Sequence, residues 1–277
     1  MQFPHIVKFG MLRHRITAAY AALFLVIAAL LVIVGTVATE RYAEQTIAKD
    51  MGANAAVFDE ILAARSRQML SSAEVLSRDF GFREAIASND AETVSSALTS
   101  LQSRASVSYA FVFTIDGAVM GEISGINPAE LASVTNALNE GKESGILEAN
   151  GKLASAVAAP IEIPDLAGWL ILAQPLDQAT MKRLTQLAPI ELDAEVRTAA
   201  QLPAKLAVAA RAEGKATEVD IAGERMLYSV SKLQPLGDRL KPRLVLRHSL
   251  TLALSEYREI FWLLLVLTLA AFAAVIA

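Results

Sequence analysis

"SYAFVFTIDGAVMGEI" (residues 108–123) decides how the rest of this chain is read. Tyr109, Phe111, Phe113 and Ile115 alternate with Ala110, Val112 and Thr114, the period of two that a strand requires. Asp116-Gly117 then supplies residue types that tolerate positive φ, so the stretch predicts a β-hairpin. Alternate aromatics on a strand are more often core than binding surface, and both readings are carried forward.

Downstream, "NPAELASVTNALNEG" (127–141) reads as a helix. Asn127 is its N-cap, Pro128 its first helical residue, Glu130 completes a capping box, and Gly141 stops it. Its buried face is Leu131, Val134 and Leu138. "SGILEANGKLASAVAAPIEI" (144–163) predicts a second hairpin around Asn150-Gly151, and "GWLILAQPL" (168–176) a last strand. The result is a five-stranded, mostly antiparallel lobe covered by helices on one face. Asp177 caps a connecting helix, "DQATMKRLTQLAP" (177–189). A smaller repetition follows: a strand at 190–196, a helix at 203–214, a hairpin at 217–233 and a strand at 242–250.

Upstream, residues 40–78 contain no proline and only Gly52. Ile47, Met51, Phe58, Leu62, Met69, Ala73 and Leu76 form one helical stripe, which suits either packing on the chain's own lobe or a dimer seam. Gly81 interrupts this helix, and Asn89 with Glu92 offers a capping box for a second helix carrying Val94, Leu98 and Leu101.

The ends are apolar. Ile16–Ala38 carries no charge and at helical rise spans roughly 35 Å, enough for a bilayer core of about 30 Å. A cleaved signal peptide is its rival, with Thr36-Val37-Ala38 as cleavage site, but signal cores are shorter, about 7–15 residues. Residues 260–277 form a second run, read as a span cut off by the end of the sequence. Lys8, Arg13 and Arg15 precede the first span without an acid, which puts the N-terminus in the cytoplasm and residues 40–259 outside. That segment holds 22 basic against 29 acidic residues, a net of −7, which argues against a nucleic-acid surface.

No cysteine is present, so disulfides, thiolate metal sites and cysteine nucleophiles are excluded. His5 and His14 sit near the start and His248 far away, so no zinc-type cluster can be read, and no Gly-x-Ser-x-Gly elbow occurs. Asp59-Glu60 is the most obvious acid pair, but adjacent helical residues point apart and read as a solvated face. Neither a catalytic residue nor a metal or cofactor site is expected.

A span, a long helix, "SRDFGFREAI" with "SNDAETVSSALTSL", the aromatic strand ending in "DG", a second lobe and a return span resemble the extracytoplasmic double Cache sensors of bacterial signalling receptors. The likeness is greatest to sensors preceding a HAMP linker and diguanylate cyclase or phosphodiesterase domains, with sensor histidine kinases close behind. No motif of those outputs is present. The resemblance implies an α+β class, with two transmembrane helices flanking a double PAS-like sensor. The implied divisions are a leader (1–15), first span (16–38), long helix (40–79), distal lobe (80–188), proximal lobe (189–248), exit helix (249–259) and second span (260–277). It further implies an inner-membrane homodimer joined through the long helix and an unknown small extracytoplasmic ligand. That ligand would lie against Tyr109, Phe111, Phe113, Ser155 and Trp169, with Arg104 meeting an anionic group. Arg225, Tyr228 and Arg247 are lesser candidates in the second lobe. A protein-docking envelope component without a small ligand is the rival from another class.

Overall fold

The expected hairpin forms as β1 (Tyr109–Thr114) and β2 (Val119–Met120). Thr114 N–H donates to Ala118 O and Gly117 N–H to Thr114 O, with Gly117 at φ 79°. In the computed structural model the described residues are 9–88, 90–121, 123, 126–186, 192–221, 224–250 and, near the end, Trp262, Leu263, Val266, Thr268 and Ala270.

Around that hairpin β3 (Ser144–Ala149), β4 (Lys152–Glu162) and β5 (Leu166–Pro175) complete a five-stranded antiparallel sheet in the order β2-β1-β5-β4-β3. Asn150 and Gly151 both take positive φ, 52° and 70°, as a two-residue hairpin loop needs. Sequence reading expects helices on one face; they cover both. On one side Val112, Val157, Ile161, Leu170 and Leu172 pack with Met69, Ala73 and Leu76 of the long helix α1 (Phe9–Ser77) and Val94, Leu98 and Leu101 of α3 (Ala91–Ala105). On the other, Phe111, Phe113, Trp169 and Ile171 pack under Val134 and Leu138 of α4 (Pro128–Asn139). The clue is that β4 and β5 run almost without polar residues through their middles, as strands buried on both faces do.

Three helix boundaries depart from expectation. Gly81 does not break the first helix; α1 ends at Ser77, and Gly81 lies inside α2 (Phe80–Ser88), where Asp79 Oδ1 accepts the Phe82 N–H. The cap of α3 is Asp90, which accepts from Thr93 N–H at 2.9 Å; Asn89 lies outside the described residues. In α4 Asn127 caps as expected, but Glu130 turns into the protein instead of closing a box. The α1 stripe is largely consumed by the chain itself: Met51, Phe58, Met69, Ala73 and Leu76 are buried, while Ile47 and Leu62 are half-buried.

Asp177 caps α5 (Gln178–Thr185), accepting from Thr180 N–H. A second sheet has the order β6-β9-β8-β7, from β6 (Asp193–Thr198), β7 (Thr217–Ile221), β8 (Glu224–Lys232) and β9 (Pro242–Ser249). The helix expected at 203–214 shrinks to a 3₁₀ turn, Ala204–Leu206, and α6 (Ala207–Arg211). Among the described residues one stretch is long and apolar enough to cross a membrane, Ala22–Thr39 within α1, with a mean hydropathy of 2.7 and none of it buried. The exit helix and second span expected at 249–277 lie almost wholly outside the described residues.

The β8–β9 connection leaves its own sheet and docks on the first. Ile146 N–H donates to Gln234 O and Leu236 N–H to Ile146 O, both at 2.8 Å, making a parallel bridge between Ile146 and Pro235. Leu236 is fully buried in the core beneath α4, and Asp238 N–H donates to Ser133 Oγ on that helix at 2.7 Å.

Candidate functional site

The strand register sorts the expected ligand residues. Phe111 pairs with Ile171 and Phe113 with Trp169. Paired residues share a face in an antiparallel sheet, so these side chains and Tyr109 stand together beneath α4. Their floor is small: Ala149, Ala154, Ala156, Ala158 and Ala173 let the aromatic rings lie down and α4 come close. Phe111 and Phe113 have ring centroids 5.2 Å apart and tilted by 49°, a favourable aromatic geometry. Phe111, Phe113 and Trp169 are buried, whereas Tyr109 is half-buried at the margin. Glu130 brings a charge into the first turn of α4: its Oε1 is buried with no hydrogen-bond partner among the described residues. Burial raises its pKa, against the opposing pull of Arg239, and Glu148 adds to the rise.

Ser155 is not on this face. It pairs with Gln174, one step out of phase with the aromatic row, and its Oγ lies 3.2 Å from Ser66 Oγ on α1. Both serines line a cleft of about 510 Å³ between α1, the β3–β4 hairpin and residues 232–234. Sequence reading misses this cleft, because its walls come from segments about 80 residues apart and no local periodicity marks it.

Arg104 stands apart from both. Its Nη1 donates to Asp79 Oδ2 at 3.1 Å, an exposed ion pair joining the end of α3 to the start of α2. The Phe82 N–H and then Arg104 hold the Asp79 carboxyl below its ordinary 3.8. A carboxyl lowered on folding stabilises the protein above its unfolded value, and that contribution disappears as pH falls through the lowered one. Arg104→Gln is therefore expected to raise the Asp79 pKa toward 3.8 and narrow this acid window. At neutral pH the melting temperature should shift by no more than a few degrees, since exposed pairs contribute roughly 0.2–1 kcal/mol. Melting curves from pH 2 to 7 test this; a large drop at pH 7 would assign Arg104 a different role. In the second sheet Arg247 pairs with Asp193, and Tyr228 is buried with its hydroxyl 3.6 Å from Met226 Sδ. Among the described residues no group of three or more His, Cys, Asp or Glu side chains could hold a metal ion.

Residues 49–243 match the family described as "Double sensory domain of two-component sensor kinase" (dCache_3). No curated protein matches the chain. Solved structures similar to it include the ligand-binding domain of the Pseudomonas fluorescens chemoreceptor CtaA in complex with L-isoleucine: 15% identity, TM-score 0.45, covering 76% of this chain and 98% of that one. The ligand-binding domain of the Pseudomonas aeruginosa PAO1 amino acid chemoreceptor PctB, in complex with L-Gln, is 14% identical with a TM-score of 0.42, covering 73% and 88%. The sensory domain of a Campylobacter jejuni chemoreceptor is 11% identical with a TM-score of 0.49, covering 76% and 96%.

Proposed function

Because the chain belongs to the double sensory domain family of two-component sensor kinases, we propose that it is the extracytoplasmic ligand-sensing and signalling region of a receptor in a bacterial inner membrane. The single observation that carries the reading beyond the family is α1. One uninterrupted helix contains both the membrane-span candidate Ala22–Thr39 and the residues Met69, Ala73 and Leu76 that enter the core of the first sheet. A ligand that repacks that sheet acts on the helix directly.

The ligand site we assign is the face under α4, with Tyr109, Phe111, Phe113 and Trp169 as apolar walls. Phe111, Phe113 and Trp169 are buried there, and binding in this reading shifts a population between two packings of α4 on the sheet. Arg104 is a structural ion pair in this reading, and Ser155 belongs to the opposite face. Homodimerisation uses the face of α1 left exposed by the core, where Ala53, Val57, Ala64 and Val75 lie. The output is a histidine kinase ahead of a cyclic-di-GMP enzyme, because sensor kinases are what the matched family describes.

One experiment tests sensing and pairing together. Cysteines replacing Val57 or Val75 in the full chain, in membranes, should form disulfides between chains. Within a panel of amino acids, organic acids and amines, at least one compound should change the cross-linking rate several-fold. No cross-link at either position would remove the dimer, and a rate that no compound alters would favour the protein-docking alternative.

A further inference from the structure

The cleft on the α1 side of the first sheet is a second place where a small molecule fits, separate from the site under α4. Its charges are unevenly met. Arg67 lines it but is held by Glu60, and Lys232 lines it but is held by Glu213. Asp59 is the remaining charged lining residue and the only acid among those described there. No basic residue stands three or four positions away on its helix, where Ala55, Ala56, Leu62 and Ala63 occur. The acid pair Asp59-Glu60 is thereby split: Glu60 turns to Arg67, while Asp59 turns to the cleft. Although the Asp59 residue is still exposed, desolvation pushes its carboxyl pKa up, and no neighbouring cation offsets the rise. At the base, the Ser66 and Ser155 hydroxyls share one hydrogen bond and keep lone pairs to spare. Leu62, Leu70 and Ile146 supply apolar walls.

We propose that this cleft binds a small organic cation, a protonated amine with a short apolar body, whose ammonium is met by Asp59 while its body lies along Leu62 toward the Ser66–Ser155 hydroxyls, two helical turns away. The occupant touches α1, the β3–β4 hairpin and residues 232–234 at once, so it modulates how the docked β8–β9 connection and α1 are held against the first sheet.

The test uses the full chain in nanodiscs with n-butylamine as probe, and n-butanol and butyrate as neutral and anionic counterparts, read by calorimetry or saturation-transfer NMR. Butylamine should bind saturably at pH 7, at least tenfold more tightly than either counterpart. Asp59→Asn, at an exposed position, should weaken it about tenfold or more, as loss of a charge-assisted contact does. Ala63→Phe fills the cleft while leaving Asp59 in place, and should abolish binding. Ile115→Ala, at an exposed position that lines neither this cleft nor the site under α4, should leave it unchanged. Equal binding of butanol, undiminished binding by Asp59→Asn or Ala63→Phe, or no saturable binding would each overturn the proposal.

Discussion

Gly145→Ala should lower the stability of the chain by about 4 kcal/mol, a loss out of scale with one methyl group. A Cβ at this position would lie 2.4 Å from the Leu236 nitrogen and 2.6 Å from the Leu236 Cα and the Pro235 carbonyl carbon. All three are backbone atoms, so no rotamer change relieves the contact. The β8–β9 connection must lift from β3. Lifting breaks the two 2.8 Å hydrogen bonds of the Ile146–Pro235 bridge, roughly 1 kcal/mol each. It also withdraws Leu236 from full burial, roughly another 2 kcal/mol. For a chain of this size the melting temperature should fall by on the order of 10 °C. Gly117→Ala is the control: nothing lies within 4 Å of its Cβ, and the cost is confined to its φ of +79°, about 1–2 kcal/mol. If Gly145→Ala melts no lower than Gly117→Ala, the docked connection is not holding the first sheet as the geometry requires.

That contact also marks where sequence reading ends. The five strands were legible because alternation and turn residues are local: Asn150-Gly151 and Asp116-Gly117 sit where the hairpins turn. The face each strand residue takes was not. Ser155 and Tyr109 each lie on a recognisable strand, but only the pairings Ser155–Gln174 and Tyr109–Ala173 put them on opposite sides, and a register is a long-range fact. The α1 stripe was visible, whereas what covers it was not, since a core and a dimer seam ask for the same periodicity. Cap positions slipped by one residue at Asp90 because two adjacent residues had suitable side chains. Residues 233–238 carry no period at all; their burial comes from Leu236 filling a space that α4 and β3 make.

Phe111→Ala should produce the second large effect, and it separates the two faces of the sheet. Phe111 is fully buried beneath α4, and truncating a buried phenylalanine costs about 3–5 kcal/mol through lost transfer energy and the cavity left behind. Val112, its neighbour, is equally buried but faces the other core, so Val112→Ala should cost about 2 kcal/mol. Stability alone does not distinguish a sensing surface from an ordinary core, since both variants lose it. The ligand response does. A compound that alters α1 cross-linking by entering under α4 meets the Phe111 ring, so the variant's response should change by tenfold or more in concentration. Enlarging the space beneath α4 also lowers the cost of opening it, so a ligand bulkier than the native one should gain affinity there. Val112→Ala, with the α4 face intact, should respond at the native concentration once compared at equal fraction folded. If Val112→Ala shifts the response as far as Phe111→Ala does, the signal depends on the stability of the sheet as a whole and the face under α4 is not where the ligand sits. If neither shifts it, the responding compound is read elsewhere, and the cleft beside Asp59 becomes the first place to look.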